Sequence, residues 1–278
     1  MKSLDTAIES FRIVYKNPKI IVIPFVMYIL SFVLIFAIGL SFGINTLLGG
    51  DLSSIFSSVF LLIIFLLLII AFLIYPIFNG MLISSGIQAV KGKLSLSKAF
   101  EETKKKYLSL LGVSLISAGI FLSLFIPLIF LILVGIIFHT SDFGGGGIFI
   151  MSIFIIIYLI LVGIASIFLL ASLFEANVLV FTENKKAVEA VKRSFYIGKK
   201  KFLSIFASLF FLFIVALGIG FVLGIFGILF NFIDEILGLP IFGILFLIFV
   251  EIPIHSFISS SSSILPVVFY YNYDLRKL

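Results

Sequence analysis

The chain has 278 residues, 62% of them hydrophobic and 12% charged, and a formal net charge of +6. Soluble domains run near half apolar and a quarter charged, so a water-soluble globular domain is excluded. There is no Cys and there are only two His, which excludes disulfides, thiol nucleophiles and thiolate metal sites, argues against a His-rich metal site, and leaves no bound cofactor to be expected.

Taken in chain order, the first element is a short amphipathic helix over 3–16. Leu4, Ala7, Ile8, Phe11 and Tyr15 recur at three- and four-residue steps, while Asp5, Glu9, Arg12 and Lys16 fill the other side. Ser3 is placed to cap it. This is no basic leader of a cleavable signal, and the apolar run that follows, Ile20–Leu40, is too long for one. That run reads as the first of six apolar spans, at 20–42, 55–82, 108–138, 148–175, 202–230 and 241–270. Each approaches or exceeds the roughly 20 residues needed to cross about 30 Å of hydrocarbon. Outer-membrane strands alternate and run only about ten residues. Helices satisfy their own backbone in lipid, so the expected fold class is an all-α membrane protein of six transmembrane helices.

The connections sort by charge. Lys2, Arg12, Lys16 and Lys19 precede the first span. Lys91, Lys93, Lys98, Lys104, Lys105 and Lys106 lie between the second and third. Lys185, Lys186, Lys192, Arg193, Lys199, Lys200 and Lys201 lie between the fourth and fifth, and Arg276 and Lys277 follow the sixth. These are all nineteen Lys and Arg of the chain. The other loops, near Asp51, Asp142 and Asp234–Glu235, have none. With six spans the two sets fall on opposite sides, and the positive-inside bias places both termini in the cytoplasm of a multi-pass protein of the cell membrane. The basic face is expected to meet the bilayer's anionic lipid headgroups. Nucleic acid is not an expected partner, since no aromatic–basic reading module is visible.

The polar stretches also align with one another. Ala7–Tyr15, Ala99–Tyr107 and Ala187–Phe195 each carry Glu two positions on (Glu9, Glu101, Glu189) and a base at five (Arg12, Lys104, Lys192). Each ends in an aromatic at eight, and the copies are spaced by 92 and 88 residues. The division is into pseudo-repeats 1–90, 91–182 and 183–278 of one membrane domain, each an interfacial helix leading into a helical hairpin. Ser97 and Asn184 are placed to cap the second and third such helices over 95–107 and 184–198. Near the end of each hairpin stands an Asn (Asn79, Asn177, Asn272) that could bond across the bundle or sit at an ordinary interface.

The segment A187-V-E-A-V-K-R-S-F-Y-I-G-K-K-K-F resembles the "eAlkrSf…kg" segment of six-span prokaryotic membrane proteins. These include the membrane domain attached to some glycerophosphodiester phosphodiesterases and related integral membrane families. F11-R-I-V-Y-K-N-P-K-I-I-V-I-P24 is similar to the opening of archaeal relatives. The resemblance implies an all-helical fold. It implies no activity for the membrane part, because the phosphodiesterase chemistry belongs to a separate soluble barrel, and it carries over no catalytic residue.

Within the spans one polar stripe stands out. Glu251, His255, Ser259 and Ser262 fall within about 80° of one another on a helix, with Ser263 at the border. With Glu251 about 16 Å into the last span, this is a candidate proton or polar-substrate pathway, and Pro253 would open the helix beside it. A span starting at Pro253 would instead leave Glu251 at the outer interface, with the serines serving close packing. Glu175 reads as interfacial, Gly144–Gly147 as a flexible turn, and Gly218, Gly220 and Gly224 as a helix-contact stripe. No catalytic triad, paired carboxylates or metal cluster is supported. Two functions remain. One is a non-catalytic protein handling a lipid or hydrophobic ligand, or assisting other membrane proteins. The other is a proton-coupled transporter or membrane enzyme using Glu251 and His255.

The charge pattern makes a direct prediction in a chain without native Cys. In intact cells, Ser141→Cys should react with an impermeant thiol reagent from outside and Ser97→Cys should not. Labelling of Ser97→Cys alone would reverse the orientation.

Overall fold

The computed structural model describes residues 2–33, 51–140, 144–238 and 241–277. The far end of the first expected span and the loop at Asp142 lie outside the described residues. Among those described there is helix and no strand. Helix α1 is Lys2–Lys16, followed by a 3-10 turn Pro18–Ile21 and α2 over 22–33. Then come α3 (Asp51–Val90), α4 (Leu96–Thr140), α5 (Gly144–Leu173), α6 (Ala176–Thr182) and α7 (Ala187–Leu237). The last span consists of α8 (Ile241–Phe246), a π-helical turn Leu247–Glu251 and α9 (Ile252–Asn272), and a 3-10 turn Leu275–Lys277 follows.

Five of these segments are long and apolar enough to cross a membrane, and a sixth if α1 and 18–33 count as one bent span. Their outer surfaces are apolar as well. Ile156, Ile160 and Ile164 of α5 and Phe213, Leu217 and Phe221 of α7 are all exposed. Soluble monomers rarely expose contiguous apolar patches beyond a few hundred Å², so this surface fits lipid rather than water. The helices fit an integral membrane protein.

The helices outrun the expected spans. At 1.5 Å per residue, the 45 residues of α4 extend about 68 Å, over twice the hydrocarbon thickness. The basic stretch 95–107 is therefore not a separate interfacial helix, because nothing in Ala99–Tyr107 interrupts the backbone ladder before the span begins. The third stretch is set off from its span, because α7 is two helices joined at a kink at Lys201 (φ −118°, ψ 20°). The first stretch is separate. Pro18 cannot donate a backbone bond, and α1 meets the segment from Pro18 to Val33 at 93°. Asn17 closes α1, its Nδ2 donating to Ile13 O at 2.9 Å.

The chain forms two compact units, 1–107 with 207–274 and 108–206 with 275–278. In the first, Val14, Ile20, Ile23, Leu82, Ile264 and Val268 make a buried cluster joining α1, α2, α3 and α9. Gly86 lets α3 close on α9, since a Cβ there would stand 3.0 Å from Ile264 Cγ1. α1 turns Thr6, Ala7, Ser10 and Val14 inward, and Phe11 stacks on Phe257 of α9 at 5.8 Å. Leu4, Ile8 and Tyr15 remain exposed on a second face, and Arg12 and Lys16 on a third. In the second unit α4 and α7 meet where a Cβ on Gly112 would lie 2.7 Å from Ala187 Cβ.

Two glycine expectations are corrected. Gly144–Gly147 open α5 as helix rather than forming a turn, because in hydrocarbon the internal hydrogen bond outweighs glycine's entropy. Among the described residues nothing lies within 4 Å of a Cβ built on Gly218, Gly220 or Gly224, so no close contact is seen there. Close approaches occur instead at Gly86, Gly112 and Gly198, the last with Ser172 Cα 2.5 Å from a built Cβ, and at Gly243, where Asp234 Oδ2 would lie at 2.9 Å.

Alanine should therefore act with opposite signs along these helices. Gly218→Ala should be neutral or stabilise by up to about 1 kcal/mol through helix propensity. Gly198→Ala, pressed against backbone, should destabilise by roughly 1–3 kcal/mol, Gly112→Ala less and Gly86→Ala least. Thermal unfolding in detergent checks the order.

Candidate functional site

The expected stripe on the last helix lies beside a break in the ladder. Pro253 has no N–H to give to residue 249 and its ring crowds that carbonyl, and the π turn Leu247–Glu251 sits immediately before it. Glu251 Oε1 and His255 Nε2 are 3.8 Å apart, one turn along the same helix. The pair is open, with 36% and 43% of the two side chains exposed, and the Tyr28 ring lies 6.3 Å from that of His255. Ser259 and Ser262 are half-buried. The fully buried hydroxyls are instead those of Ser256, Ser260 and Ser261. They donate to Ile252 O, Ser256 O and Phe257 O of their own helix at 2.7–2.9 Å. Their hydrogen bonds are satisfied locally and their small size serves packing.

Of the three Asn residues, Asn272 crosses between helices. Its Nδ2 donates to Glu9 Oε2 at 2.9 Å and to Thr6 Oγ1 at 3.3 Å, binding the two ends of the chain's first unit. Ser3 joins the same contact, its Oγ 3.1 Å from Tyr273 Oη, so it holds α9 rather than capping α1. Asn79 is half-buried. Asn177 buries its Oδ1 with no hydrogen-bond partner. Arg12, Glu101, Lys104, Glu189 and Lys192 are all exposed.

The helix ends show polar partners that the spacing did not reveal. Ser95, not Ser97, caps α4: its Oγ accepts from Lys98 N at 3.4 Å, and its own N–H is taken by Gln88 Oε1 at 3.0 Å. Glu102 Oε2 then accepts from Ser84 Oγ at 2.5 Å and Gln88 Nε2 at 3.3 Å. Asn184 takes a left-handed conformation, φ 54°, in the turn before α7. Asp234, on α7, receives Phe242 N at 2.8 Å and Gly243 N at 2.7 Å, closing the first turn of α8 with a carboxylate at its positive end.

Two features have the character of sites. One is an apolar groove of about 200 Å³ between α2 and α3, lined by Met27, Leu30, Ser31, Ile70, Ala71, Ile74, Tyr75 and Phe78. The other is the break between α5 and α6. Glu175, expected at an interface, is fully buried there, and neither carboxylate oxygen has a hydrogen-bond partner. The break is held from α7. Ser194 Oγ donates to Ser172 O at 2.7 Å and accepts from Glu175 N at 3.2 Å. One turn later Gly198 admits the backbone of Ser172. The Ser and Gly of the K-R-S-F-Y-I-G motif thus have a structural role, which the i, i+4 spacing of two small residues among bulky ones could have signalled.

Among the described residues no group of three or more His, Asp or Glu is placed to hold a metal ion. No known protein family, curated protein or solved structure matches the chain.

These geometries separate two carboxylates by what depends on them. Asp234→Ala should destabilise by about 1–2 kcal/mol, as lost helix caps do. Glu251→Gln should shift stability by no more than about 0.5 kcal/mol, as expected away from buried features. Chemical unfolding in micelles distinguishes the two.

Proposed function

We propose that the chain is a multi-pass protein of the cell membrane that takes up a lipid or another hydrophobic molecule between α2 and α3, without covalent chemistry. The groove carries this reading. Its lining is apolar except for the hydroxyls of Ser31 and Tyr75, which suits a ligand with a hydrocarbon body and one polar point. Typical small-molecule pockets measure roughly 300–1,000 Å³, so a groove of about 200 Å³ fits a length of chain rather than a whole compact molecule.

The rest of the proposal concerns placement. Both termini and the nineteen basic residues face the cytoplasm and anionic headgroups. α1 lies in that interface, its exposed stripe of Leu4, Ile8 and Tyr15 entering the lipid. The three motif copies, spaced by 92 and 88 residues, mark three repeats of one domain. In support, Ala7 and Ala99 are buried and Ala187 is packed on Gly112, while the bases five positions on are exposed.

A second reading, proton-coupled transport through Glu251 and His255, is favoured by their 3.8 Å approach. The two readings separate experimentally. Ala71→Phe, which fills the groove, should weaken binding of a fluorescent fatty acid by about tenfold, or about 1.4 kcal/mol, with Ala71→Ser unchanged. Unchanged binding in Ala71→Phe would remove the groove from the proposal. Binding that loses its pH dependence in Glu251→Gln would favour the second reading.

A further inference from the structure

We infer that the α5–α6 break is a binding site for one monovalent cation, a proton or an alkali-metal ion, held by the Glu175 carboxylate with the side-chain oxygens of Ser172 and Asn177. The argument begins with what is buried. Glu175 and Ser172 are fully buried. Glu175 Oε1, Glu175 Oε2, Ser172 Oγ and Asn177 Oδ1 are all enclosed and none has a hydrogen-bond partner. Leaving a buried polar atom unpaired costs about 1–3 kcal/mol, more when it is charged. Four such atoms within six residues of one segment are therefore not casual, and a charged group at membrane depth marks function by default.

The unmatched atoms are carboxylate, amide and hydroxyl oxygens, so the partner they lack is a donor or a cation. Oxygen donors select hard cations, since transition metals prefer imidazole or thiolate. The segment offers a single formal charge. A calcium or magnesium ion would keep a net positive charge in a buried place, whereas a proton or an alkali-metal ion leaves the site neutral.

Among the described residues no basic side chain is hydrogen-bonded to the Glu175 carboxylate. Arg193 is committed to Glu183 at 3.9 Å and to Leu275 O at 3.2 Å. Lys185 pairs with Glu183 at 3.6 Å. Lys200 lies over the Tyr196 ring at 4.5 Å, and Lys186, Lys192 and Lys199 are exposed.

The backbone is built to hold this arrangement. A continuous helix would have used the N–H of Glu175 internally. Here that N–H goes to Ser194 Oγ, which also secures Ser172 O. A built Cβ at position 198 would stand 2.5 Å from Ser172 Cα and 2.9 Å from Ala171 O, so glycine is what lets α7 press on the break. Interrupted membrane helices whose freed backbone and side-chain oxygens hold a small cation are a known solution to ion binding in lipid.

The test uses the full chain in detergent or nanodiscs. Thermal unfolding is followed in N-methylglucamine chloride, and NaCl or KCl is then exchanged in at constant ionic strength. Infrared difference spectra report whether a carboxyl is protonated. An alkali-metal site predicts a saturable rise in Tm with Na⁺ or K⁺ that is lost in Glu175→Gln. A proton site predicts no alkali effect, and a carboxyl C=O band at neutral pH that Glu175→Gln removes. The inference is overturned if the wild-type protein shows neither effect, or if either persists unchanged in Glu175→Gln. Should that variant not fold, Asn177→Val replaces it, with a weakened alkali response or a shifted carboxyl band expected. The wild-type measurements alone remain able to refute the site.

Discussion

A peptide group in hydrocarbon has no water to fall back on, so each N–H and C=O must be satisfied within its own helix or by a neighbouring side chain. That constraint governs the form of this chain. It accounts for 40 and 45 residues running as single helices in α3 and α4, and for a row of glycines accepting helical backbone at the start of α5. It also makes every interruption of a helix a place where polar side chains must gather. At the end of α1 it is the Asn17 amide. At the α3–α4 turn it is Gln88, the chain's one glutamine, supported by Glu102 and Ser84. At the α5–α6 break it is Ser194, and at the start of α8 it is Asp234. Nearly all the distinctive chemistry of the molecule sits at these points, because nowhere else in an apolar bundle is a polar group required.

The same constraint explains what was legible in the sequence and what was not. Apolar length and charge sorting are local properties, so the helical class and the approximate spans could be read from composition along the chain. Where helices begin and end was harder. The Lys-rich stretch Lys104–Lys106 looks like a boundary, yet charges on one face of a helix do not interrupt its backbone, and α4 passes straight through them. Ser97 and Ser95 are equally good caps by residue type. The choice of Ser95 follows from Gln88, seven residues back, which holds its N–H. In the serine-rich segment Ser259 and Ser262 share a face with Glu251. It is the neighbouring face, with Ser256 and Ser260, that is buried, and that depends on where α1 packs.

Glu175 is the clearest case of information that no local window contains. It ends an apolar run just ahead of the Lys185–Lys201 segment, the usual place for a carboxylate that reaches headgroups. Its burial arises from residues far along the chain, Ser194, which bridges the break, and Gly198, which allows the approach of α7. In the sequence those two positions look like part of a basic surface helix, since Lys192, Lys199 and Lys200 surround them and are exposed. One amphipathic segment therefore does two things at once, turning its bases outward and its two small residues onto the broken helix.

The two carboxylates, Glu251 and Glu175, consequently stand in opposite physical situations. Glu251 has a titratable partner one turn away and an open surface, so its charge can be met by His255, by solvent or by headgroups, and its energetic weight is small. Glu175 has no partner and no exposure. An isolated charge in that position costs several kcal/mol, a large part of the 5–15 kcal/mol that separates folded from unfolded proteins in general. A fold that keeps such a group must neutralise it. A permanent internal lysine or arginine would do so without consequence, but the nearby Arg193 and Lys185 are held by Glu183 instead. Neutralisation is thereby left to something that can arrive and depart, which is the physical difference between a structural ion pair and a binding site.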